Sequence, residues 1–496
     1  TDMSSLVALP ILIPLVAAAL MLVVRNLVAQ RAISFVALLS SLATATAVLV
    51  DVWNTGDIAV SRLGGWPGSF AITLVADGLS SVLVVVALVV TTTVLLFAVG
   101  QQTPDEHSPY YHPVYMALVA GISQAFLAGD LFNLFVAFEV LLMASYVLLT
   151  LEGNRAQIRS GTTYVVLNII ESVVLVMAVG LIFAATGTVS FAELPERIAA
   201  LPDGVRMGLH LLLLIAFGIK AAVFPLFSWL PDSYPTAPSS ASAVFAGLLT
   251  KVGVYCLIRV QTLLFPGELS NLVMIIGVST MAIGVLGAIS QHDMKRILSF
   301  HIISQIGYMV FGLGIGGAVA IAATIFYLIH HIPVKTSLFL VEGIIERNTG
   351  SSSLDDVSGL ARKSPFLAVL FLIPAMSLAG FPPLSGFLAK FVLVRGGLSA
   401  EQYIGVGVAI VVSLLTLVSM VKIWVGAFWG EVAPTSLSNS VGVLRQHRSM
   451  ATATTILVGF TLLIAVAAGP LYGFATRASD QLLDIERYIS AVRSAT

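Results

Sequence analysis

Apolar runs of about 20 residues, separated by short polar turns, fill nearly the whole chain. A run of that length matches the hydrocarbon thickness of a bilayer. Fourteen can be drawn, at roughly 6–24, 32–51, 79–99, 113–130, 132–151, 162–185, 209–230, 241–262, 270–290, 297–315, 318–342, 366–394, 403–428 and 451–473. Inside hydrocarbon a backbone has only protein to bond to, so each run is expected to be helical. At 496 residues the length alone would suggest several soluble domains. Composition overrules that: 58 % of residues are hydrophobic and only 10 % charged, against about 25 % charged in soluble domains. The expected fold is therefore an all-α polytopic membrane protein. A net charge of −1 carries no sign of nucleic-acid binding. The single cysteine, Cys256, allows neither an internal disulfide nor a paired-thiol site. No basic segment precedes the first run, which reads as a span and not as a cleaved signal.

Basic residues in the loops orient such a chain. Loops after odd-numbered spans hold about eleven, among them Arg25, Arg155, Lys295, Arg296, Arg347 and Arg445. Loops and span ends on the other side hold about five, among them Arg62, Arg206 and Arg259. The odd loops are thus expected inside and both termini outside.

Two spans carry breaks. Span seven is interrupted near Pro225, and span twelve at GFPPLSGF, with Pro382 and Pro383. They stand five spans apart, so a second copy of the unit would sit upside down in the membrane. Paired broken helices in inverted repeats point to a transport site.

Six ionisable residues lie deep in the runs: Glu139 in span five, Lys220 in seven, Lys251 in eight, His331 and Lys335 in eleven, and Lys390 in twelve. Each costs about 2.5–3.5 kcal/mol at depth, or about 15–20 kcal/mol for the set. Ion pairs alone would not call for broken helices beside them. Desolvation disfavours a charged lysine and a neighbouring carboxylate favours it, so a lysine between the two passes its proton on as its partner moves. Glu139 is the strongest acidic partner for Lys220. His331 and Lys335, at i and i+4, share one helical face, and a histidine titrating near neutrality suits proton hand-over. Lys220 beside the break at Pro225 suggests a hydrated half-channel. Weaker candidates are Glu171, mid-span in six; His330; His301, on a face of span ten with Gln305, where packing accounts for it equally well; and Lys422, near the end of span thirteen, where snorkelling is the better account. His210 reads as interfacial, Asp77 as a helix-start acid, and His292, Asp293, Lys295 and Arg296 as a solvated loop.

GLGIGG at Gly312 matches a dinucleotide fingerprint only formally, since it follows no strand. No phosphate loop, catalytic triad, metal or haem motif is present. No cofactor, metal or catalytic residue is expected, and neither an enzyme nor a nucleic-acid partner.

The run KAAVFPLFSWLPDSYPTAPSSASAVFAGLLTKVGVY is very similar to the central signature of the antiporter-like subunits shared by Mrp cation/proton antiporters and the membrane arm of respiratory complex I. DMKRILSFHIISQIGY, GFPPLSGFLAKF and HHIPVK resemble further segments of that superfamily, over roughly residues 70–430. The resemblance implies fourteen helices, with inverted five-helix repeats at spans four to eight and nine to thirteen. The chain then divides into 1–112, a first repeat at 113–262, a second at 270–430, and a last span with short tail at 431–496. It also implies that Glu139 and Lys220 are a coupling pair, Lys251 a central bridge, His331 and Lys335 the next link, and Lys390 the terminal lysine. Length and wording look most like the D-type branch of the Mrp cation/proton antiporter subunits.

The resemblance therefore implies a proton-translocating subunit of a multisubunit Na+/H+ antiporter in a bacterial or archaeal cell membrane. Its partners would be other membrane subunits, including a larger homologous one. Glutamate, lysine and histidine suit protons better than sodium, so a partner is expected to help with the cation. The alternatives are a proton-pumping subunit of complex I or of a membrane hydrogenase, and a scaffold whose relay is vestigial.

Overall fold

The computed structural model describes residues 3–64, 72–431 and 448–495. Arg445 lies outside the described residues. The chain is a helical bundle: α1 (Leu9–Val23), α2 (Leu27–Thr55), α3 (Gly78–Gln101), α4 (Tyr111–Leu127), α5 (Leu131–Thr150), α6 (Arg155–Thr186), α7 (Asp203–Ala221), α8 (Ser239–Leu264), α9 (Ser270–Ser290), α10 (Met294–Ile315), α11 (Gly317–Thr349), α12 (Pro365–Ala379), α13 (Ser385–Ser399), α14 (Tyr403–Phe428), α15 (Arg448–Val466), α16 (Ala468–Leu483) and α17 (Ile485–Ser494). Among the described residues, eleven helices are long and apolar enough to cross a bilayer. The other expected spans are shorter helices: α1 of 15 residues, α4 of 17, and span twelve, which is two helices of 15.

Short polar residues start these helices. The side chains of Asn26, Asp130, Asn154 and Asp293 each accept the backbone N–H three residues on, at 2.6–3.0 Å, covering donors that hydrocarbon would leave unpaired. Asp77 and Ser80 form a capping box on α3.

Both predicted breaks are present. α7 stops at Ala221, where Ala222 turns left-handed at φ +58° and Val223 N–H returns to Gly218 C=O at 3.1 Å. A short helix, Trp229–Ser233, follows. α12 stops at Gly380, φ +88°, and Pro382 and Pro383 have no N–H to continue the ladder. The Phe224–Pro225 and Pro382–Pro383 bonds are both cis. The last span also divides, because Pro470 cannot bond back to Val466, and α15 gives way to α16 at Ala467.

The bundle has a centre and a rim. Burial covers 100 %, 94 % and 83 % of the apolar windows of α8, α10 and α11, but only 33 % of α2 and 39 % of α6, α9, α14 and α15. Five of the candidate relay residues, Lys251, His301, His330, His331 and Lys335, lie on the three central helices.

Several local features recur along the chain. Asp130, opening α5, bridges to Ser190 after α6; Asp293, opening α10, bridges to Ser353 after α11. Each is 163 residues from its counterpart. The two cis-proline breaks are 158 residues apart. α8 and α14 both finish in a π turn, Val260–Leu264 and Trp424–Phe428.

Some expectations need correction. The segment between spans two and three is not plain loop: Ala59–Leu63 (β1) pairs antiparallel with Ile72–Ala76 (β2), and Val60, Ile72, Thr73 and Val75 supply β-branched residues that suit strands. Arg259 is no loop charge; it is buried, 2.6 Å from Asp77. His210 is buried rather than interfacial, stacked on Phe265 at 4.4 Å and bonded to Gln261 at 2.6 Å. Lys295 is buried and paired with Glu346 at 2.8 Å, not solvated. In each case a partner distant in sequence removes the need for water. The tail forms α17, which packs Tyr488, Ile489 and Val492 inward and receives Arg62 at the Val492 carbonyl, 2.6 Å away.

Candidate functional site

The ionisable residues predicted to form the relay fall into two neighbouring groups. The first lies where α5, α6 and α7 meet. Lys220, in the last turn of α7, is buried and donates to the side-chain oxygen of Asn168 on α6 at 3.3 Å. Its ammonium also stands 5.6 Å from the Phe138 ring centroid on α5. Glu171 and Glu139 both lie within electrostatic reach of it. Neither carboxylate is ion-paired to Lys220 among the described residues. Among the described residues, both oxygens of the buried Glu171, and Oε1 of the half-buried Glu139, have no hydrogen-bond partner. Two carboxylates thus share one lysine that is held by a neutral amide.

Side chains cap the backbone of the break beside Lys220, while Pro225 and Ser228 within it are exposed. Trp229 Nε1–H donates to Ile219 C=O at 3.0 Å, and Phe224 N–H donates to Thr280 Oγ1 at 2.9 Å. These partners satisfy groups that the broken helix frees. Gly253 lets α8 approach, since a Cβ there would lie 2.5 Å from Ala221 N and 2.9 Å from the Lys220 carbonyl carbon. α8 thereby carries the row from Lys220 towards Lys251.

Lys251 begins the second group. It is buried and donates to Ala246 C=O at 2.5 Å and Thr250 Oγ1 at 3.3 Å. Ala246 belongs to a π turn, Phe245–Leu249. Such turns loosen the regular ladder and recur at functional sites. On α11, His331 lies within electrostatic reach of Lys251, Lys335, His330 and Lys390. Among the described residues, neither ring nitrogen of His331 nor the ammonium of Lys335 has a hydrogen-bond partner, and both residues are fully buried. His301 on α10 bonds to Ser419 Oγ at 2.8 Å and senses Lys335 and Lys390.

Lys390 closes the row at the second break. Its ammonium donates to Leu378 C=O at 2.9 Å, Ala379 C=O at 3.2 Å and Ser413 Oγ at 3.2 Å. The two carbonyls end α12, where unpaired oxygens and the helix dipole favour a cation. His330 Nδ1 bonds to Ser385 Oγ at 2.9 Å, and Ser385 lies 3.2 Å from Ser377 Oγ. His330 is therefore tied to the same break. The ring of Tyr308 stacks on Tyr327, whose hydroxyl bonds to Gln305, and faces Lys390 at 5.0 Å.

Lys422 stands apart, donating to the Ile289 and Gln291 carbonyls at the end of α9 at 2.9 and 2.5 Å. Pro225, Pro382 and Pro383 lie in the breaks themselves. Sequence reasoning did not single out Asn168 and Ser413, which hold Lys220 and Lys390, or Ser385, which holds His330. Asn168 is i−3 from Glu171 on α6, a polar pair on one face of an apolar helix, and that spacing was the available signal.

Comparison with known proteins agrees with this architecture. A family described as NADH:quinone oxidoreductase/Mrp antiporter, TM, matches residues 128–416. The chain is 44 % identical to the D-type Na(+)/H(+) antiporter subunit of Alkalihalophilus pseudofirmus, over 99 % of both chains. It is 36 % identical to the D-type Na(+)/H(+) antiporter subunit of Bacillus subtilis, again over 99 % of each. Among solved structures, a chain of the Mrp complex from Dietzia sp. superposes with a TM-score of 0.92 at 34 % identity, covering 99 % of each chain. A chain of the membrane-bound sulfane sulfur reductase, an archaeal respiratory membrane complex, gives 0.88 at 23 % identity over 99 % of this chain and 100 % of that one. That last likeness is one of fold.

Proposed function

Because the chain belongs to the NADH:quinone oxidoreductase/Mrp antiporter transmembrane family, we propose that it is the proton-carrying subunit of a multisubunit monovalent cation antiporter, exchanging Na+ for H+. The observation that carries this reading is the buried row Lys220, Lys251, His331, Lys335 and Lys390, running from one broken helix to the other with Glu139 and Glu171 at its start.

The chemistry is proton hand-over. A lysine releases a proton to a neutral neighbour and takes the next one from the other side. His331 suits the middle of the row, since an imidazole with both nitrogens free of protein partners accepts at one and donates at the other. Glu139 and Lys220 act as the switch: when the carboxylate approaches, the ammonium is favoured, and when it withdraws, the proton moves on. Glu171 is the second carboxylate within reach of Lys220 and is a member of the same switch. His330 and His301 are supporting members near Lys390.

On this reading residues 113–262 and 270–430 are two inverted copies of one five-helix unit, each with its broken helix. The recurring bridges, cis-proline breaks and terminal π turns support it. Residues 1–112 form the N-terminal part, and 431–496 the last span and tail. The chain sits in a bacterial or archaeal cell membrane with both termini outside, among other membrane subunits that include a larger homologue. A partner assists with the cation, since few acidic oxygens line the interior of this chain.

The relatives at 44 % and 36 % identity carry antiporter names, and this favours an antiporter over a redox-driven pump. Purifying the native complex in mild detergent separates the two. Several membrane subunits with no flavin or iron–sulfur absorption are expected; peripheral subunits bearing such groups would replace this reading with the pump. Within the complex, Glu139→Ala is expected to abolish Na+/H+ exchange in vesicles. Unaltered exchange would remove Glu139 from the path.

A further inference from the structure

The row described above lies in the interior, and a proton must still reach water. α11 carries two more carboxylates beyond Lys335. At about 100° per residue, His331, Lys335, Glu342 and Glu346 fall within about 60° of arc, so they form one stripe. His331, Lys335 and Glu342 are fully buried, while the Glu346 side chain is 36 % exposed. The Lys335 ammonium lies 6.0 Å from the Phe339 ring, one turn towards Glu342. Glu342 is about 10 Å further along the helix axis than Lys335.

The hydrogen bonds around the carboxylates contain a constraint. Ser239 Oγ stands 3.1 Å from Glu342 Oε2 and 3.0 Å from Glu346 Oε2. A hydroxyl has one proton to give. It makes a full hydrogen bond to each carboxyl group when one of them carries a proton and donates back. Glu346 is paired with Lys295 at 2.8 Å and so is the ionised partner. Glu342 then holds the proton, with Ser352 donating to its other oxygen at 2.5 Å. Gly343 permits this geometry, because a Cβ there would lie 2.6 Å from Ser239 Cβ.

We propose that Glu342, Ser239 and Glu346 form the port through which the lysine–histidine row exchanges protons with water at the end of α11. The step balances without a co-reactant. Glu342 Oε2–H passes its proton to Ser239 Oγ as the Ser239 O–H proton passes to Glu346 Oε2. This leaves Glu342 ionised, to take the next proton from the Lys335 side. Lys295 on α10 holds Glu346, and Glu342 and Asp293 are the other acidic groups within electrostatic reach of Lys295. The port rests on the relay reading above and extends it to residues outside the row.

The test is Na+/H+ exchange by the whole complex in proteoliposomes, measured across pH for Glu342→Gln, Lys335→Ala and Ser239→Ala. Glutamine reproduces the bonding of a protonated Glu342 but cannot release the proton. Glu342→Gln is therefore expected to assemble normally, slow exchange at least tenfold and change the pH profile. If Lys335→Ala abolishes exchange while Glu342→Gln keeps the normal rate and profile, the port is wrong and the relay stands. If Lys335→Ala also exchanges normally, the relay fails and the port with it. Should Glu342→Gln not assemble, Ser239→Ala decides: slower exchange with a displaced pH profile supports the port, and an unchanged rate and profile overturns it.

Discussion

Two adjacent acids in the short helix Pro104–His107 have opposite electrostatics and give a test outside the spans. Burial pushes Asp105 up to about 6, and the nearby charge of Glu152 adds to it. Its pKa is thus raised above the unfolded value, about 3.9. The stability it contributes is full below about pH 4 and is lost as pH rises through about 6. Asp105→Asn is expected to raise thermal stability at pH 8, on the order of 1 kcal/mol, with the gain fading towards pH 4. Glu106 behaves the other way. Burial pushes it up, but hydrogen bonds from His112 and Arg31, at 3.0 and 2.6 Å, outweigh that and hold it at about 2. Its contribution is present above about pH 4.5 and is lost as pH falls towards 2. Glu106→Gln is expected to destabilise at pH 7 by about 1–3 kcal/mol and to differ little from the parent near pH 2. Melting curves at three pH values check both. The relay residues were legible in the sequence because one charge stands out in an apolar run. Asn168, Ser385 and Ser413 were not, because short polar residues are common in these spans and their partners come from other helices. Glu342 was hidden for a different reason: it sits near a helix end, where an acid ordinarily meets water.

Among the helices and strands, starts and breaks were readable because their causes are local. Asp130 and Asp293 cap, and Pro225, Pro382 and Pro383 interrupt. Tertiary pairing was not readable, and Arg259 is the clearest case. The start of α3 and the far part of α8 are joined by the buried Asp77–Arg259 pair at 2.6 Å, with Tyr488 of α17 facing the guanidinium at 5.7 Å. Removing one partner leaves a charge buried alone. Arg259→Ala is therefore expected to cost about 3–5 kcal/mol, and the double change Asp77→Asn with Arg259→Met less than that. Thermal unfolding of the detergent-solubilised complex measures it; equal loss in the single and double variants would mean that packing, and not charge, is what Arg259 supplies. The β1–β2 pair also escaped the sequence reading, because its strands are only five residues each and show no alternation of apolar and polar residues.

For the bundle as a whole, fold class followed from the period and length of the apolar runs alone, since a bilayer admits few other solutions for them. The centre-and-rim arrangement did not, because a lipid-facing helix and a core helix are equally apolar. Burial separates them: α8, α10 and α11 are enclosed, and α8 and α11 bring Lys251, His331 and Lys335 between the two broken helices. On the proposed function this enclosed row conducts protons. Lys251 is the place to interrupt it, as the bridge between the two groups and a residue whose hydrogen bonds go to Ala246 and Thr250, on its own helix. Lys251→Met keeps the apolar stem and removes the proton carrier. The measurement is Na+/H+ exchange by the assembled complex in proteoliposomes. Intact assembly with exchange reduced at least tenfold is the expected outcome; intact assembly with the normal rate would mean that the row does not carry the proton.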